Sequence, residues 1–124
     1  MLLDTSVLIA RERRGLGLDE LLEPLVSAVT IGELSLGVEL ARGVDERAAR
    51  EATLEAVESG FDVPDVDHGG GLAYDRLVSR ARRRGRRPST RDALIAATAV
   101  ANDLPLLTQD VGFLAFDGLE VVLV

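Results

Sequence analysis

The chain has 124 residues, 47% of them apolar, and a net charge of −7, enough for one compact domain with a real core and too apolar for disorder. With no cysteine it can form neither disulfides nor thiolate metal sites, and it has no thiol nucleophile. All fourteen basic residues are arginine, which excludes the lysine-dependent P-loop, pyridoxal-phosphate and phospho-receiver chemistries, and the single histidine, His68, argues against a histidine-rich zinc site.

The first segment, "MLLD", reads as a short buried strand ending at Asp4, followed by a helix through "TSVLIARER". No basic leader precedes it and no apolar run approaches the ~20 residues that span a bilayer, so a cytoplasmic protein without a membrane segment is expected. "GLGLDELLE" predicts a turn and a short helix; lacking a third glycine, it is not a dinucleotide fingerprint. "PLVSAVT" is a strand candidate, and a helix is expected from Thr30 through "TIGELSLGVELAR". On that helix Ser35, Glu39 and Arg42 share a polar face, with Leu36, Gly37 and Leu40 on the side away from it. "VDERAAREATLEAVES" is a second, alternating-charge helix, and "GFDVPDVD" a short strand that Pro64 marks as an edge or a strand end.

A helix follows from "HGGGLAYDRLVSRARRRG", with Gly69 to Gly71 at its start, and then a helix from "STRDALIAATA" to about Asn102. The strand "LPLLTQD", a turn or short helix "VGFLAF" and the strand "LEVVLV" complete the chain. Strands alternating with helices imply a mainly parallel sheet flanked by helices.

Charge is segregated along this order. Residues 80 to 91 carry Arg80, Arg82, Arg83, Arg84, Arg86, Arg87 and Arg91 with no acid, a local +7 that leaves −14 for the rest. Such a run reads either as a solvated helix end or as a patch that attracts a polyanion.

In parallel α/β sheets ligands bind beyond the carboxyl ends of the strands, and this chain brings four acids towards that edge. Asp4 ends the first strand, Glu33 and Asp92 are expected in the first turns of their helices, and Asp110 follows the strand "PLLT". Singly, each has an ordinary explanation: an N-cap for Asp4, a capping box in "TIGE" and nearly one in "STRD", a turn for Asp110. Helical spacing argues further. Glu33 lies about 200° from Ser35, and Asp92 is in register with Ile95, Ala96 and Ala99, so both point inward. Carboxylates gathered there repel one another and lose hydration unless a cation compensates, and an oxygen-only donor set selects Mg²⁺ or Mn²⁺. An acidic metal pocket beside an arginine patch suits cleavage of a phosphodiester.

"LLDTSVLIA", "SAVTIGELSLGV", "RDALIAATAVANDLPLLTQD" and "GLEVVLV" together resemble a PIN domain, and more narrowly the VapC-type toxins of bacterial toxin–antitoxin pairs. The resemblance spans the chain in the right order and implies a single PIN-like domain over residues 1–124, a three-layer α/β/α sandwich around a mainly parallel sheet of four to five strands. It also implies a metal-dependent endoribonuclease whose family acids match Asp4, Glu33, Asp92 and Asp110. Asp117 is the substitute for Asp110, and Ser6 and Thr108 fall on supporting positions. On this reading Asp4, Asp92 and Asp110 hold one or two Mg²⁺ or Mn²⁺ ions, and Glu33 is a further ligand or orients the attacking water. Cleavage leaves a 5′-phosphate and a 3′-hydroxyl. No side chain offers itself as a general base. The arginines clamp RNA phosphates; four aromatics are too few for base stacking, so shape recognition of a structured RNA, a transfer or ribosomal RNA, is expected.

The resemblance further implies a cognate VapB-like antitoxin that occupies the acidic groove and alone contacts DNA. It also implies a homodimer through helix surfaces such as residues 31 to 57. Two other functions stay open at this point: a non-catalytic module binding RNA or an acidic partner through Arg80 to Arg91, and a metal-dependent DNA nuclease or phosphatase. His68 reads as a surface or helix-start residue and "HGGG" as a loop rather than an anion site; Tyr74 and Leu77 read as core or interface.

Overall fold

The computed structural model describes residues 1–14 and 23–124. Among these, a four-stranded, all-parallel sheet carries five α-helices, the α/β/α sandwich expected. The elements run β1 (Leu2–Leu3), α1 (Thr5–Arg14), β2 (Leu25–Val26), α2 (Ala28–Glu39), α3 (Val44–Gly60), α4 (His68–Arg83), α5 (Thr90–Ala101), β3 (Leu106–Thr108) and β4 (Val121–Leu123), with a 3₁₀ turn at Val111–Ala115. The turn and helix expected over "GLGLDELLE" fall outside the described residues, apart from Glu23.

The strand order is β2-β1-β3-β4, with Leu2 and Leu3 paired to Leu25 and Val26 on one side and to Leu106 and Leu107 on the other. Side chains alternate across a strand, and that alternation divides the interior into two cores. Leu2 and Leu106 face α4 and α5, packing with Leu77, Ile95, Ala96 and Phe113; Leu3 and Leu107 face α1, α2 and α3, packing with Leu8, Leu34 and Val57. Tyr74 and Leu77 join the first core, as their spacing suggests. The buried surface of α5 is made mostly of small side chains. Ala93, Ala96, Ala97 and Ala99 are covered and let Ala73, Leu77 and Ala81 of α4 approach closely.

Three expectations need correction. The helix expected from Thr30 begins at Ala28, because Ser27, not Thr30, is its N-cap and accepts from the Val29 amide at 2.9 Å. Glu33 therefore lies in the second turn and takes no part in a capping box. Replacing Ser27 with alanine is expected to cost about 1 kcal/mol, measurable in a denaturant melt. Secondly, the buried face of α2 is Thr30, Leu34 and Val38, whereas Leu36 and Leu40 are 57% and 65% exposed. Apolar residues surround this helix, so the pattern left the face ambiguous. Thirdly, "GFDVPDVD" forms no strand: Asp62 makes one parallel bridge with Leu25 before Pro64 interrupts pairing.

"HGGG" is the first turn of α4 rather than a loop, capped by Asp67, whose carboxylate accepts from the Gly70 amide at 3.0 Å; His68 starts the helix on the surface. At its other end α4 is closed by Gly85 (φ +75°), with the Gly85 amide on Arg82 O and the Arg86 amide on Ala81 O. This left-handed cap splits the arginine run between the last turn of α4 and the loop entering α5.

Candidate active site

The strand order locates a crevice. From β1 the chain departs to β2 on one side, and the later half of the chain supplies β3 on the other, so the carboxyl ends of β1 and β3 flank a topological switch point. Asp4 follows β1 directly, and its amide extends the ladder by donating to Leu107 O at 2.9 Å.

Asp4 is 4% exposed and is held by two hydroxyls. Ser6 Oγ donates to Asp4 Oδ2 at 2.7 Å, and Thr108 Oγ1 donates to the same oxygen at 2.8 Å. Each hydroxyl is itself fixed from behind, since Ser6 Oγ accepts from the Gln109 amide at 3.1 Å and Thr108 Oγ1 from the Asp110 amide at 3.0 Å. Two backbone amides thus aim two hydroxyls at one carboxylate oxygen, and neither hydroxyl engages the other oxygen, Oδ1. The structure thus brings Ser6 and Thr108 together on Asp4.

Glu33 is reached from α1. Thr5 Oγ1 lies 2.9 Å from Glu33 Oε1 and 3.1 Å from Thr30 Oγ1, and its single proton serves the charged acceptor better. The other Glu33 oxygen accepts from Arg91 Nη1 at 2.9 Å. Arg91 also donates to Asp92 Oδ1, through Nη2 at 3.1 Å and Nε at 3.3 Å. Asp92 sits in the first turn of α5, where the helix N-terminus favours a negative charge, and its amide is capped by Ser89 Oγ. The side chains of Glu33 and Asp92 are 21% and 20% exposed, that of Arg91 54%.

Arg91 is therefore the centre of the acidic cluster rather than a member of the outer patch. Partial burial disfavours its charge, but the hydrogen bond to Asp92 and the fields of Glu33, Asp92 and Asp4 outweigh that cost and raise its pKa above the ordinary value. The influence of Asp4 on the same guanidinium brings three of the four acids into one electrostatic unit.

Asp110 is tied to this unit through its backbone, by way of Thr108, while its carboxylate caps the 3₁₀ turn by accepting from the Gly112 amide at 2.8 Å. Asp117 is engaged elsewhere, in a two-pronged ion pair with Arg84 at 2.6 and 2.8 Å. Arg80, Arg82, Arg83, Arg86 and Arg87 are exposed and, among the described residues, make no ion pair. Beside Glu33 a cavity of about 290 Å³ opens between α1, α2 and α3, lined by Thr5, Glu12, Arg13, Leu34 and Arg50 among others.

Sequence reasoning misses the roles of Thr5 and Thr30. A hydroxyl next to Asp4 in "DTS" was the available signal for Thr5, and the helix start at Ala28 places Thr30 one turn before Glu33. No helix among the described residues is long and apolar enough to cross a membrane.

The PIN domain model matches residues 1–119. Ribonuclease VapC5 of Mycobacterium tuberculosis is 44% identical over 119 residues, covering 94% of this chain and 87% of that protein. Ribonuclease VapC4 of the same organism is 38% identical over 123 residues, covering 98% and 94%. The crystal structure of VapBC-5 from Mycobacterium tuberculosis, a member of the VapBC family of toxin–antitoxin systems, superposes with a TM-score of 0.85 at 37% identity, covering 99% of this chain and 97% of that one. The chain belongs to the PIN-domain family and, within it, to the VapC group.

Proposed function

We propose that the protein is a Mg²⁺- or Mn²⁺-dependent endoribonuclease, the toxin of a toxin–antitoxin pair. The observation that carries this reading is the bridging of Glu33 and Asp92 by one cationic group, with the buried Asp4 at the carboxyl end of β1 beside β3. The naming of two relatives as ribonucleases, and the toxin–antitoxin setting of the VapBC-5 structure, support it.

The donor set fits a hard cation. Every acid offered is a carboxylate, and a positive group already bridges two of them. No three acids or histidines among the described residues stand close enough to hold an ion together in this structure. Asp4, Asp92 and Asp110 are the residues that would hold the ion, with Glu33 completing the pocket. Such an ion, when bound, supplies electrophilic stabilisation of the phosphoryl oxygens and an activated water.

The remaining work falls to the chain itself. Ser6 and Thr108 fix Asp4 by one oxygen and leave the other for the pocket; Thr5 orients Glu33 in the same way. Arg80, Arg82, Arg83, Arg86 and Arg87 offer their exposed guanidinium groups to the phosphates of a structured transfer or ribosomal RNA, contacts that position without reading sequence. The products are a 5′-phosphate and a 3′-hydroxyl. A VapB-like antitoxin restrains the enzyme in the cytoplasm and carries any DNA binding, and the exposed Leu36, Leu40 and Val44 offer an apolar face for a homodimer.

The test is cleavage of total RNA and of DNA by purified protein freed of its antitoxin. Discrete RNA cuts are expected with Mg²⁺ or Mn²⁺, lost in EDTA and regained on adding metal back, with DNA left whole. RNA that is retained equally with and without metal, and never cut, would instead establish a binding module that works through the arginines. Metal-dependent cutting of DNA in preference to RNA would establish a DNA nuclease.

A further inference from the structure

The acidic cluster already contains a positive charge, and it comes from the chain itself. Arg91 Nη1 meets Glu33 Oε2 at 2.9 Å, while Nη2 and Nε meet Asp92 Oδ1 at 3.1 and 3.3 Å. These are neighbouring faces of one planar fork, so a single side chain braces α2 against the start of α5. Its own exposure of 54% leaves it room to swing out into solvent, whereas the carboxylates it bridges are about four-fifths covered.

We propose that Arg91 is an internal competitor for the cation site: it neutralises Glu33 and Asp92 in the metal-free protein, and a divalent cation binds only as the guanidinium gives way. This rests on the metal-dependent reading above. Two cations cannot share these oxygens at contact distance without strong repulsion. Cation uptake and release of Arg91 are then one equilibrium, and the affinity for metal is lowered by whatever the two ion pairs contribute.

The experiment titrates EDTA-stripped protein with Mn²⁺ at low ionic strength, following free Mn²⁺ by its electron paramagnetic resonance signal. Wild type is compared with Arg91→Gln, Arg91→Lys and Asp4→Asn. Two part-exposed ion pairs predict Mn²⁺ binding roughly five- to tenfold tighter in Arg91→Gln. Arg91→Lys, whose single ammonium cannot bridge both carboxylates as a fork does, falls between the two and carries the test if Arg91→Gln does not fold. Thermal melts give a second readout: Arg91→Gln melts below wild type in EDTA, and Mn²⁺ raises its melting temperature by more than it raises that of wild type.

Equal or weaker Mn²⁺ binding in the Arg91 variants, with uptake abolished by Asp4→Asn, overturns the competition and leaves the cation site standing. Absence of uptake by every variant overturns both.

Discussion

Replacing Asp4 with asparagine is expected to lower RNA cleavage by about 10²–10³-fold while the protein stays folded. Asparagine keeps the size of the side chain and one oxygen, so the hydroxyls of Ser6 and Thr108 retain an acceptor. What is lost is the negative charge at the switch point. The measurement is single-turnover cleavage at saturating Mg²⁺ alongside a thermal melt. Undiminished cleavage by a folded Asp4→Asn protein would show that this carboxylate is structural, and its place among the residues that hold the ion would fall.

A second substitution separates the scaffold from the chemistry. Thr108→Val preserves volume and removes one hydroxyl from a fully buried position. The Asp110 amide loses its acceptor, and Asp4 Oδ2 loses one of two donors. Leaving buried polar groups unpaired costs about 1–3 kcal/mol, and loosening the group that orients an acid lowers the cleavage rate by about 10–100-fold, as for outer-sphere partners of metal ligands. Thr108→Ser restores the hydroxyl and should recover most of both. A valine variant that is destabilised but cuts RNA at the wild-type rate would show that Thr108 holds the sheet edge and does not position Asp4.

The acids were legible because their positions follow from chain order: a carboxylate after an apolar run, or one in register with a helix's packing face, lands at the same edge of a parallel sheet. Asp4 and Asp92 stand where that logic puts them. Glu33 reached the cluster despite a misplaced helix start, because the buried register of α2 depends on Leu34 and Val38 and not on where the first turn begins. Other features were not legible for physical reasons. Strands of two or three residues give almost no periodic signal, so the order β2-β1-β3-β4 could not be read from them. Leu36 and Leu40 look like core to any pattern that weighs apolarity alone. Arg91 resembled its six neighbours in composition; only the fold, by bringing α2 against the first turn of α5, gives it two carboxylates to bridge.

The pairing of β1 with β3 also governs when the pocket can exist. The Leu2 amide donates to Pro105 O and the Asp4 amide to Leu107 O, contacts that close a loop of about a hundred residues. Such long-range pairing is entropically costlier to close than the hydrogen bonds within a helix such as α3. A chain cut short before Leu106 retains Asp4, Glu33 and Asp92 in sequence, but it has neither the neighbouring strand nor Thr108 to align the first of them. Assembly of the acids is thus a consequence of completing the sheet, which makes the site a reporter of the finished fold.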